Sequence, residues 1–299
     1  MPIEFDGPVS SANATTLRQV IEALLQRIQA RDADLDLSAL GRIVVTDTLQ
    51  AAEQRFGATP VAGEHLSRIV ADGTRFALLF DGARLWQILE GDGAEIARLI
   101  HHLHKECWRL HDSARPAPEA DAQDAPLARA LAPIVAEMWQ EYRINRRSAW
   151  SLPADSDLLL NHLAALVEAL PAAMQEEITL YYADQNLDEL FAKSLGRIAH
   201  LMQAMAHVQG YLDGMGQPLA AVSAEMHARV AQSFLSPLWL TTAQHLAAGH
   251  GIAAGELADA PLRRDVQAAF ATFGLQLRES DDGDVWLDVQ PLTRPETLH

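Results

Sequence analysis

Four histidines (His101, His102, His104, His111), the only cysteine of the chain (Cys107), Trp108 and the charged Lys105, Glu106 and Arg109 fall within about three helical turns. Imidazole, thiol and carboxylate groups coordinate metals, move protons and attack as nucleophiles. The stretch Glu95–Asp112 is therefore where chemistry is expected first. Placed on a helix at about 100° per residue, it sorts into three stripes. Ile96, Leu99, Ile100, Leu103, Cys107 and Leu110 form the core stripe. His101, His104, Trp108 and His111 form one flank, and His102, Lys105, Arg109 and, at its margin, Glu106 form the other. This pattern predicts a helix half-buried against a cleft.

Spacing limits what these residues do together. His101 and His104, at i and i+3, make a feasible pair of metal ligands, whereas His111 stands too far along the helix to chelate with His101. Cys107 lies on the core stripe and reads as a buried structural thiol. The Cys107/His111 spacing allows an ion pair, but a catalytic dyad also needs an orienting group and an oxyanion hole. Lys105, Glu106 and Arg109 read equally well as a solvated helix face.

The run HKECWRLHD, His104 to Asp112, resembles the active-site helix of the zincin metallopeptidases. In that family two histidines of a helical HExxH motif hold zinc, and the glutamate between them activates water. Several small bacterial zincin families extend the motif to a form like H-H-E-L-x-H-x-H-D. A later helix bears a third ligand within an E-Y-x-x-x-R-x-S-like run. Here His104, Glu106, His111 and Asp112 keep the register, and EYRINRRSA, from Glu141 to Ala149, places Glu141 at the third-ligand position. Lys105 and Arg109 stand where the two zinc-binding histidines belong. The resemblance covers roughly residues 40–150 and implies a zincin-like fold with Glu106 as a vestigial general base. Lysine and arginine repel Zn²⁺ rather than bind it, so no metal is expected. A salt-bridge cluster of Lys105, Arg109, Glu106 and Glu141 is expected in its place. The alternative is an active hydrolase using Glu106 with His104 or His111, with zinc relocated to His101 and His104.

The elements that position this helix follow from periodicity and punctuation. Residues 1–12 read as a loose arm and 14–31 as a helix. RIVVTD (Arg42–Asp47) and FALLF (Phe76–Phe80) read as strands, with Thr48–Phe56 helical between them. Asp81-Gly82 reads as a tight turn, and Leu85–Leu89 as a third strand or a helix start. Gly91-Asp92-Gly93 breaks the chain before the motif helix, about 94–113. Residues 114–126, rich in proline and acidic residues, read as a linker. Helices are expected over 127–150, 155–171, 173–215, 219–248 (broken or kinked at Pro237) and 261–273. LQLRE and VWLDV around Ser280–Asp284 predict a closing hairpin. The fold class is a mainly helical α+β chain: a zincin-like domain over 1–150 with a small sheet, and a helical domain over 151–299 ending in a β-hairpin.

Composition bounds the function. The chain has 299 residues, 49% of them apolar, enough for a substantial core. Its formal charge of −17 argues against general nucleic-acid binding. One cysteine excludes an intramolecular disulfide framework. No apolar run is long enough to span a bilayer, and MPIEFDGPVSS does not read as a signal peptide. A cytoplasmic, alanine-rich bacterial protein is expected. It would be catalytically inactive, bind a protein or peptide partner and need no cofactor. A purely structural or interaction protein is the remaining alternative. Other motifs are weaker. His200 and His207 read as core packing, His245 and His250 as a helix C-terminus, and Arg143, Arg146 and Arg147 as helix-surface pairing.

Overall fold

Two apolar runs set the architecture of the first compact unit, Met1–Pro116 with Trp150–Asp155. The computed structural model describes residues 2–7, 11–61, 63, 65–114, 125–250, 259–279 and 285–290. Strand β1 (Ile3–Asp6) is followed by α1 (Ser11–Arg31), β2 (Leu40–Thr46), α2 (Leu49–Arg55), β3 (Ser67–Asp72) and β4 (Arg75–Asp81). Helices α3 (Gly82–Glu90) and α4 (Gly93–Ser113) complete the series. The sheet order is β1-β2-β4-β3. Strand β2 runs parallel to β1 (Ile3 opposite Ile43) and to β4 (Val44 opposite Leu79), and β3 pairs antiparallel with β4. The two central strands are the unbroken apolar runs. Ile43, Val44 and Val45 are each 0% exposed, and Ala77 to Phe80 at most 1%, as expected of parallel strands covered on both faces.

Three expectations are corrected here. Residues 3–6 are not part of a loose arm; they form edge strand β1. Strand β3 occupies residues to which the sequence reading assigns no element, and it turns into β4 at Gly73, whose φ of +62° suits glycine. Asp81-Gly82 is no tight turn. Asp81 caps α3, its Oδ1 accepting from the Arg84 N–H at 3.0 Å, so Leu85–Leu89 is helical. The motif helix begins in the same way, with Asp92 Oδ1 accepting from the N–H groups of Ala94 (2.9 Å) and Glu95 (3.1 Å).

The second unit, Ala117–Ala149 with Ser156–His299, is built on helices. These are α5 (Pro126–Ser148), α6 (Leu160–Asp184), α7 (Leu187–Met215), the short α8 (Leu219–Val222), α9 (Ala224–Ala231), α10 (Ser236–Gly249) and α11 (Ala260–Thr272). The antiparallel β5 (Leu275–Glu279) and β6 (Val285–Val289) follow. Helix α6 runs through Pro171, where a break was expected, and the chain turns at Gln185 instead, in left-handed backbone. Pro237 sits in the first turn of α10 rather than kinking it. Helices α5 and α7 pack closely because α7 presents glycines. A Cβ on Gly210 would lie 2.5 Å from Tyr142 O, and one on Gly214 would lie 2.3 Å from Arg146 O.

The fold class is therefore mainly helical α+β with a small mixed sheet and a C-terminal hairpin. The division into compact units differs from the expected boundary at 150: α5, which carries Glu141, groups with the later helices, while Trp150–Asp155 returns to the sheet unit. Most of the expected linker and the turn at Ser280–Asp284 lie outside the described residues. Among the described residues no helix is long and apolar enough to cross a membrane.

Candidate functional site

Helix α4 is buried on more than its apolar stripe. Leu99, Leu103, Cys107 and Leu110 are at most 2% exposed, but so are His104 (0%) and His111 (2%), with Trp108 at 4% and Glu106 at 6%. Of the flank His101, His104, Trp108 and His111, all but the half-buried His101 are packed inside. Burial pushes the Cys107 thiol well above its usual range, which keeps it protonated and unreactive.

The four histidines of α4 reach three parts of the first unit: β3, the chain just after α1, and Ser151, which His101 and His104 share. His102 Nε2 meets Ser67 Oγ on β3 at 2.6 Å. His111 Nδ1 accepts from the Asp36 N–H at 2.9 Å, in the loop after α1, and its ring meets Trp108 edge-on. His104 lies at the centre of a polar chain. Its Nε2 contacts Asp32 Oδ2 at 2.5 Å, and its Nδ1 contacts Ser151 Oγ at 2.8 Å. Asp32 also accepts from Trp150 Nε1 at 2.7 Å and Trp108 Nε1 at 3.0 Å. Trp108 Nε1 lies equally near His104 Nε2, but the geometry reads better as two donors sharing one carboxylate oxygen. Asp32 thus fixes the His104 proton on Nε2 and leaves Nδ1 to accept from the Ser151 hydroxyl. His101 Nδ1, 2.9 Å from the same Oγ, then donates to it. Arg31 stacks on the Trp150 ring at 4.3 Å and closes the cluster.

Burial lowers the proton affinity of His102 and His104; for His104 it outweighs the raising effect of Asp32. Both imidazoles are therefore neutral near pH 7.

Within each unit the residues of the peptidase-like motif have partners of their own. Arg109 donates to Glu106 within the helix, and Lys105 precedes this pair. Glu141 belongs to the second unit, where its Oε2 meets His207 Nδ1 at 3.0 Å and accepts from Asn145 Nδ2 at 3.2 Å. His207 is therefore a hydrogen-bond partner of Glu141 rather than plain core packing. His200 is also not core: it is exposed, and its Nε2 lies 2.8 Å from His162 Nε2. His245 Nδ1 meets Asp265 at 2.7 Å, and His250 caps the end of α10. Tyr142 donates to Asp213 and accepts from Arg146 at 2.6 Å.

The α4 donor set does not fit zinc. Two of the motif positions are cations, and the carboxylate between them is engaged by one of those cations. The Nδ1 atoms of His101 and His104 share a serine hydroxyl that a metal would have to displace. Among the described residues no group of three or more His, Cys, Asp or Glu side chains is placed to hold a metal. Sequence reasoning found His101, His104 and His111 but missed Asp32, Trp150 and Ser151. Only the indole donors and the acid at the end of α1 hinted at them. Comparison of the chain with protein-family models, curated proteins and solved structures finds no match.

Proposed function

We propose that this chain is a catalytically inactive, metallopeptidase-like protein that acts as a binding or regulatory module for a protein or peptide partner. The observation that carries this reading is the Arg109–Glu106 pair on α4. The glutamate that would activate a metal-bound water in the resembled motif is nearly buried and neutralised by the residue at a zinc-ligand position. The histidines around it serve as anchors for β3, the α1 end and the Trp150–Asp155 segment. Such internal pairing fixes geometry more than it adds net stability, since desolvation offsets much of the attraction.

Reversing the exchange tests this reading. Lys105→His combined with Arg109→His should gain an equivalent of zinc beyond whatever the parent chain holds. Parent and Glu106→Gln proteins should be equally inactive toward unfolded casein. Casein cleavage by the parent that is lost on Glu106→Gln would overturn the inactive reading, and no zinc gain would count against the metallopeptidase ancestry.

A second reading rests on the Ser151–His104–Asp32 chain, which has the connectivity of a nucleophile, its base and an orienting acid. Against it stand the complete burial of His104 and the second imidazole on the same hydroxyl. A fluorophosphonate probe separates the two readings. Labelling of Ser151 that disappears in Asp32→Asn would establish the hydrolase, and an unlabelled Ser151 supports the structural role.

A further inference from the structure

Helices α6 and α7 form an antiparallel hairpin whose surface carries a groove of about 620 Å³, lined among others by Leu166, Leu170, Ala173, Gly196, Arg197 and His200. The two helices are locked in register across this groove. Glu177 on α6 is 6% exposed and accepts from Arg197 at 2.7 Å, and it pairs with Lys193 at 3.2 Å, both on α7. Burial alone would raise the Glu177 carboxyl, but the two cations outweigh it and hold it below its usual range. Where the groove ends along α7, His200 meets His162 of α6. Their Nε2 atoms are 2.8 Å apart and their rings are nearly perpendicular, with centroids 4.8 Å apart.

Two imidazoles facing each other through the same nitrogen pose a simple chemical problem. One Nε2 must carry a proton so that the other lone pair is satisfied. A cation shared by both lone pairs satisfies them equally. In tetrahedral coordination, Zn–N bonds of 2.0–2.1 Å put two ligand nitrogens about 3.3 Å apart. The pair therefore has to open by about half an ångström, a small adjustment for side chains of which one is exposed and the other half-buried.

We propose that His162 and His200 form a two-histidine site for a borderline divalent transition metal ion, with its remaining coordination positions open to water or to a donor group of a molecule in the groove. Imidazole donors select zinc, nickel and copper over magnesium and calcium. A chain of formal charge −17 also favours a divalent cation over an anion at its surface. Two protein ligands make this an exchangeable site rather than a structural one. It lies on the second unit and is independent of the peptidase-like reading of α4.

The test is calorimetric titration of the full chain, freed of metal by chelator dialysis, with Zn²⁺ alone and with Ni²⁺ alone. One equivalent of each should bind. His162→Ala and His200→Ala should each weaken that binding about 100-fold, because each removes one arm of a bidentate grip. His227→Ala, on α9, should leave it unchanged. Both histidines are at the surface, so circular dichroism should show the variants folded. Absence of binding to either metal, or binding unchanged in both the His162 and His200 variants, would overturn the proposal.

Discussion

At Asp32, three N–H donors converge on one carboxylate, from His104, Trp108 and Trp150. An amide of the same shape presents a donor where the carboxylate had only acceptors, so Asp32→Asn should set N–H against N–H in a nearly dry site. A cost of about 2–3 kcal/mol follows from leaving such donors unmatched, and the indole fluorescence of the folded protein should shift as the two tryptophans lose their acceptor. Unchanged urea stability would show that the cluster is dispensable. The histidines carry a pH signature. Burial lowers the proton affinity of His102, His104 and His250 in the fold, while the unfolded chain takes up protons near pH 6.5. Below that pH the unfolded state binds protons that the folded state refuses, so stability falls on acidification until the lowered folded values are reached. Asp265, whose carboxyl burial pushes up, acts in the opposite sense. Three histidines against one carboxyl should lower the urea midpoint between pH 7.5 and 5.5. His102→Gln should flatten that slope by up to about 1.4 kcal/mol per pH unit; an unaltered slope would mean that His102 is not held neutral.

Close helix packing in the second unit makes a prediction of its own, because α7 carries glycines in opposite settings. A Cβ at Gly210 or Gly214 runs into the α5 backbone, whereas one at Gly196 meets nothing within 4 Å. Gly214→Ala should therefore cost about 1–3 kcal/mol through overpacking. Gly196→Ala should stabilise by about 0.5–1 kcal/mol through lost unfolded-state freedom. Thermal melts of the two variants should move in opposite directions. The same contrast explains what could be read from residues alone. Buried strands β2 and β4 announce themselves as apolar runs. Edge strands β1 and β3 carry charges at their ends and do not. Two of the chain's six Asp-Gly pairs stand at the ends of the strands of the sheet's antiparallel pair, and the one at 81–82, read as a turn, is a helix cap. The one at 72–73 is the hairpin turn. The residues after each pair tell the two apart: Leu85, Ile88 and Leu89 repeat at helical spacing, while FALLF does not. The frame around α4 was legible because its side chains are neighbours in sequence. Asp32 and Ser151 were not, because they reach His104 across separations of 72 and 47 residues.

Across the whole molecule, 40 acidic residues face 23 basic ones. Exposed pairs such as Arg55–Asp6 at 2.6 Å and Arg98–Asp155 at 2.5 Å recover some attraction. Pairs of this kind contribute about 0–1 kcal/mol each and weaken with salt. The unmatched negative charge pulls the other way, since self-repulsion opposes the compact state and salt screens it over about 10 Å at 0.1 M. With an excess of 17 acidic groups, repulsion is expected to outweigh the pairs. Raising NaCl from about 10 to about 200 mM should therefore raise the melting temperature, with most of the change complete once the screening length falls below about 10 Å. A melting temperature that falls over this range would mean that the surface pairs dominate. The same surplus predicts that duplex DNA is not retained at moderate salt, because phosphate contacts need clustered cations. Arg42, Arg55, Arg98 and Arg197 are already engaged by carboxylates of this chain. A partner of the kind proposed would then have to be selected by shape and by local donor groups, such as the His162–His200 pair, rather than by the overall field.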